Sequence, residues 1–286
     1  MATQPKRQGY HEKCYTWLTV TISALVLVTS SSGIFIKDTY AKELTSWALQ
    51  AVGQDMANIA SVPLLLFSGY HANNRNNNAN KVLGKGLMVW IGVLLFLIYV
   101  FAIYAFDVHY NSLFLLYVSI LGLSFYTLLG RLTSLNFQSI QVSLSEKNNK
   151  TTKAVAVFLI LIAGLFCFQW LSEDIPAALT SKTPFSIKET GLPTNPVHVL
   201  DLAFFLPGIF LTGIALYRMK ILGYIFAAPF LVFSALTGVG ILFSNALIRM
   251  NGISVSFVPD VIVGLVVIVS IILSWSFLRG KSLVLA

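Results

Sequence analysis

The sequence predicts an all-α integral membrane protein, a bundle of about eight transmembrane helices with both ends in the cytoplasm. Three observations lead there. The chain is 56% hydrophobic and only 10% charged, against roughly 25% charged in an ordinary soluble domain. Apolar runs of about 20 residues, the length that crosses a bilayer, recur from end to end. Lys and Arg gather in alternate connectors, as they do around the helices of an inner-membrane protein. Spans and short connectors use up the 286 residues, so residues 1–286 are read as one transmembrane domain.

The spans are placed near 15–36, 47–70, 86–106, 111–131, 154–174, 197–217, 221–245 and 258–278. The first follows Lys6, Arg7 and Lys13 and ends in a run of serines and a glycine without a small-residue cleavage pattern, so it is read as an uncleaved span. The second is interrupted by Gln54, Asp55 and Asn58, and the other six are plainly apolar. The connectors 71–81, rich in Asn, and 137–153, polar and basic, are read as solvated. The outer connector 175–196 carries Pro176, Pro184, Gly191, Pro193 and Pro196, and is expected to be turn-rich rather than helical.

With the N-terminus inside, fourteen of the 19 Lys and Arg fall on the cytoplasmic side and five outside. An odd number of spans spoils that alternation. The net charge of +8 is thereby a topology signal. It is not a nucleic-acid footprint, since no basic helix or basic–aromatic platform is present. The two cysteines, Cys14 and Cys167, fall near opposite surfaces, which predicts free thiols.

Two stretches can be superimposed. Pro63 to Gly69 matches Pro207 to Gly213, and Lys81 to Gly84 matches Lys220 to Gly223. These place spans two and three over spans six and seven, which predicts a 4+4 parallel duplication about an axis along the membrane normal.

Ionisable groups within spans are the most informative residues, because a carboxylate at the centre of a span costs about 2.5–3.5 kcal/mol on insertion scales. Asp55 lies well inside span two, with Asn58 on the same face at i+3 and Gln54 beside it. Asp201 lies inside span six, with His198 at i−3 and Pro207 beyond it. Glu173 closes span five, and Tyr99 and Tyr104 on span three supply hydroxyls. The predicted substrate- or ion-binding site is a polar cup opening outward, made of Gln54, Asp55, Asn58, Tyr104, His198 and Asp201, with Glu173 at its rim. Asp174 and Asp260 are read as interfacial or capping groups.

A catalytic reading has less support. Two histidines on the outer side are too few for a three-His zinc site, and no H-E-x-x-H, G-x-S-x-G or Walker pattern occurs. No metal is expected and no cofactor is indicated. His198 and Glu173 are the candidates for acid–base work should the cup be catalytic.

Several segments resemble a group of uncharacterised multi-pass membrane proteins of bacteria. They are Gln54-Asp55-x-x-Asn58 followed by Pro63, Tyr99 with Tyr104, Asn111 to Tyr117, Trp170-Leu-Ser-Glu-Asp-Ile-Pro176, and Asn195-Pro-Val-His-Val-Leu-Asp-Leu-Ala203. The resemblance covers roughly residues 47–235. It implies a bacterial inner-membrane location and no reaction. The expected function is a small-molecule or ion carrier or channel using carboxylates on the outer side. The alternatives are an outer-leaflet enzyme and a non-catalytic assembly protein. The lipid bilayer is the expected partner, and neither a nucleic acid nor a particular oligomeric state is indicated.

Overall fold

The computed structural model describes residues 4–73, 82–135, 140–142, 150–279 and 283–285. The Asn-rich connector from residue 74 and most of the basic connector before residue 150 lie outside the described residues. The long helices are α1 (Gln4–Phe35), α2 (Thr45–Asn73), α3 (Lys85–Asp107), α4 (Phe114–Thr133) and α5 (Lys150–Leu179). They continue, after a short α6 (Phe185–Thr190), with α7 (Pro196–Leu200) running on into α8 (Leu206–Tyr217), then α9 (Ile221–Met250) and α10 (Val258–Arg279). Three short strands, β1 (Val82–Leu83), β2 (Ile140–Val142) and β3 (Leu283–Leu285), pair antiparallel in the order β1–β3–β2.

Seven of these helices are long and apolar enough to cross a membrane: α1 from Lys13, α3, α4, α5, the run from Pro196 to Tyr217, α9 and α10. Their outward faces carry large apolar side chains such as Trp17, Phe106, Leu115, Phe168 and Leu179. That much exposed apolar surface fits a lipid environment and not water. The eighth long helix, α2, falls short in apolar character because of the polar residues in its middle. It nevertheless runs between the same two faces as the others. At one face the α1–α2 and α3–α4 connectors meet: Lys42 Nζ donates to the Tyr110 carbonyl at 2.9 Å, and Asn111 Nδ2 to the Thr39 carbonyl at 3.2 Å. At the opposite face the α2–α3 connector, the α4–α5 connector and the tail after α10 meet in the small sheet.

The helix packing has a regular order. In the first half α1 packs on α2, α2 on α3, α3 on α4, and α1 on α4; in the second, α5 packs on α8, α8 on α9, α9 on α10, and α5 on α10. The halves join through α9, which packs against both α2 and α3, while α3 meets the α7–α8 run mainly at α7. In lipid, close backbone approach and interhelical hydrogen bonds hold helices together more than apolar burial does. Gly53 supplies one such approach, since a Cβ there would strike the backbone of Ser244 on α9. Beside it, Ser244 Oγ donates to the Gln50 carbonyl at 2.9 Å. On the other flank Trp90 Nε1 donates to Thr19 Oγ1 at 3.1 Å, tying α3 to α1.

The outer connector departs from the sequence expectation. It is not a string of turns: α5 continues through Pro176 to Leu179, and α6 occupies Phe185–Thr190. Pro184 and Gly191 are the ends of that helix. Pro184 stands just before its first turn. Gly191 takes a left-handed φ of 72° and donates to the Ile187 carbonyl at 2.8 Å, closing the last turn.

Candidate functional site

The sequence-selected residues fall into two hydrogen-bonded groups. The first surrounds Asp55. This carboxylate is fully buried. Its Oδ2 accepts the Tyr40 hydroxyl at 2.7 Å, from a 3-10 turn (Lys37–Tyr40) beyond the end of α1. Its Oδ1 lies 3.1 Å from the Tyr104 hydroxyl, whose one proton is shared with the Ala51 carbonyl at 2.9 Å. Gln54 Nε2 donates to Asn58 Oδ1, and Asn58 Nδ2 donates to Ser30 Oγ, each at 3.2 Å. Gly33 on α1 makes room for this cluster, because a Cβ there would collide with the Asp55 carboxylate and lie 2.7 Å from the Tyr40 oxygen. Burial above all, with Tyr104 and Asp55 adding to it, holds the Tyr40 phenol well above its ordinary pKa, so Tyr40 is a standing donor.

The second group surrounds Asp201 and begins with a local feature of the chain. Asn195 caps α7, its side chain accepting the His198 N–H at 3.1 Å, with Pro196 in the first turn. Farther along, Pro207 has no N–H to give and crowds the preceding turn. The helix answers with a π-turn over Asp201–Phe205, in which the Leu206 N–H reaches back to the Asp201 carbonyl. Asp201 therefore opens a widened turn. Its Oδ2 accepts the Trp170 indole N–H from α5 at 2.9 Å, and Tyr99 of α3 lies beside it.

The Trp170 ring also stacks on His198, with centroids 4.4 Å apart and planes 30° apart. His198 is buried, and its Nδ1 lies 3.0 Å from Asp174 Oδ2. Asp174 thus does more than cap α5: it orients an imidazole. Glu173, its neighbour, accepts the Ser186 N–H at 2.8 Å and ties α6 to α5. Asp260, also read as an end group, forms an ion pair with Arg249 and accepts Asn245 Nδ2 at 2.6 Å.

A cavity of about 300 Å³ lies between α3, α5, α8, α9 and α10, and Glu173, His198 and Asp201 stand in its wall with Trp170 and Tyr99. A second cavity of about 130 Å³ adjoins it, lined by Trp47, Gln50, Gln54, Tyr104 and Asn245 among others. Gln50, Tyr99, Val197, Thr237 and Ile241 belong to both walls. Asp55 and Asn58 line neither. Ser186, Thr237 and Trp47, residues of these walls, each bury a polar side-chain atom with no hydrogen-bond partner among the described residues: Ser186 Oγ, Thr237 Oγ1 and Trp47 Nε1. Nothing in the sequence marks Trp47, Gln50 or Thr237, which sit as ordinary residues in or near apolar runs. Trp170 and Asp174 fall in a segment already singled out, but their partners lie 31 and 24 residues away on another helix. Among the described residues no three His, Cys, Asp or Glu side chains are placed to hold a metal ion.

Comparison with protein-family models, with curated proteins and with solved structures found no match to this chain.

Proposed function

We propose that the chain crosses the inner membrane of a bacterium eight times with both ends in the cytoplasm, and that it is a carrier of a small molecule or ion whose binding carboxylate is Asp201. One observation carries the carrier reading. A carboxylate inside a membrane helix, where it is expensive, stands in the wall of a 300 Å³ cavity on a Pro-associated π-turn. The crossing of α2 is supported by its course between the two faces and by the inward burial of Asp55, Asn58 and Ser61. The charge bias of fourteen Lys and Arg against five supports the orientation.

The packing order supports the 4+4 duplication as well. Each contact within the first half has its counterpart in the second. The symmetry is incomplete at one place. The close packing of α2 on α9 calls for an equal packing of α8 on α3, and the larger cavity lies there instead. Asp55 and its partners, by contrast, form a closed network that holds α1, α2, α3 and the outer turn together.

The test is uptake into liposomes containing the purified protein. A panel of amines, amino acids, sugars and inorganic cations is offered, and uptake of one class that Asp201→Asn abolishes is expected. Folded, reconstituted protein that moves none of them overturns the carrier reading.

A second reading rests on the His198–Asp174 pair, since a carboxylate at one ring nitrogen orients imidazole for acid–base work. An outer-leaflet enzyme then turns over a lipid-linked or periplasmic substrate. Mass spectrometry of a membrane lipid extract incubated with the protein would reveal product, and His198→Gln would remove it.

A further inference from the structure

We infer that the two adjoining cavities form one binding site for an organic monocation, an amine with a compact uncharged body. This inference deepens the reading of the Asp201 cavity as a ligand site; it does not depend on the ligand being carried across the membrane.

The sign of the ligand follows from the walls. The larger chamber holds the carboxylates of Asp201 and Glu173, and among the described residues no Lys or Arg lines either chamber. His198 has its own counter-charge in Asp174 at 3.0 Å, so it adds no unpaired positive charge. An anion entering here would meet carboxylates with no cation to compensate. A cation would find a carboxylate in a wall that also holds the aromatic rings of Trp170, Tyr99, Phe166 and Phe233. Carboxylate plus aromatic walls is the chemistry that holds an organic ammonium in a dry site.

Among the described residues no carboxylate lines the smaller chamber; its polar groups are amides, hydroxyls and indole. The charge thus belongs at Asp201 and the uncharged body of the ligand in the smaller chamber. The combined space is that of a small aromatic or aliphatic amine.

Calorimetric binding to the purified full-length protein in nanodiscs tests this with four probes: phenethylamine, 4-methoxyphenethylamine, the uncharged 2-phenylethanol, and phenylacetate. The two amines are expected to bind, and the alcohol and the anion to bind at least about tenfold more weakly. Asp201→Asn should weaken both amines about tenfold or more. Glu173→Gln provides a second charge variant should Asp201→Asn fail to fold, and should weaken the amines in the same direction. Equal binding of the alcohol or tighter binding of phenylacetate overturns the inference, as does amine binding that neither charge variant weakens. Amine binding without uptake into liposomes overturns the carrier reading alone; uptake of a non-amine with no amine binding overturns the ligand class alone.

Discussion

Tyr40 reaches from a short turn outside the helices to donate its hydroxyl to Asp55, 2.7 Å away in the middle of α2. The bond couples the outer connector to the most deeply buried carboxylate of the first half. Since Tyr104 shares its proton with a backbone carbonyl, Tyr40 is the one phenol committed to Asp55 alone. Tyr40→Phe leaves that carboxylate short of a donor and should lower stability by about 1–3 kcal/mol. Thermal unfolding in detergent measures it. An unchanged midpoint would show that the bond carries nothing.

The same contact sets a pH dependence. The Tyr40 phenol is raised in the folded protein by burial. A raised acid of this kind stabilises the fold fully below the unfolded pKa of about 10, and that stability is lost as pH climbs through the folded value. The expected result is a fall in unfolding midpoint above about pH 10 that is smaller in Tyr40→Phe. Parallel curves for the two proteins would exclude Tyr40 as its source.

Gly33→Ala tests the packing beneath this bond. The added methyl collides with the Asp55 carboxylate and crowds Tyr40. Overpacking of this kind costs about 1–3 kcal/mol, and the loss should not add to that of Tyr40→Phe, because the two changes disturb one cluster. A double-mutant cycle on unfolding midpoints checks it.

The Arg249–Asp260 pair ties the C-terminal end of α9 to the start of α10, with the Arg249 guanidinium 4.1 Å over the Phe257 ring. Asp260→Ala strands a partly buried guanidinium and should destabilise by about 3 kcal/mol, whereas replacing both partners by Met and Leu should recover most of it. If the double replacement is as unstable as the single one, the pair contributes by attraction and not merely by mutual neutralisation.

Topology is checked by cysteine labelling. With Cys14 and Cys167 replaced by serine, Lys42→Cys should react with a membrane-impermeant maleimide in intact cells, and Lys220→Cys only after permeabilisation. The reverse pattern would invert the orientation.

How much of this was legible in the sequence depended on the range of the interaction. Helix existence was local and readable: runs such as 221–245 and 258–278 lie within α9 and α10. The helix α6 was hidden because Pro184 and Gly191 read equally well as turn residues and as helix punctuation; only the backbone at Gly191 decides. The polar residues were readable as important but not as a constellation. Asp55 and Asp201 both follow the start of a predicted span by a few residues, yet they face different neighbours, and position along a span is what hydropathy reports. Asp174 was read as an end group because its partner, His198, belongs to a helix that the intervening connector brings back alongside. Trp47 and Thr237 carry no signal at all, since whether a buried donor finds a partner is decided by the helices that pack around it.

Trp170 gives its indole N–H to Asp201 and its ring face to His198. One chromophore is therefore wired to two ionisable groups of the larger cavity. The emission of an indole responds to a hydrogen bond at its nitrogen and is quenched by a protonated imidazole in contact with its ring. The chain has only 5 tryptophans, so the contribution of Trp170 can be isolated by difference. The protein carries its own optical gauge of what happens in the cavity, readable without a label and before any ligand is known.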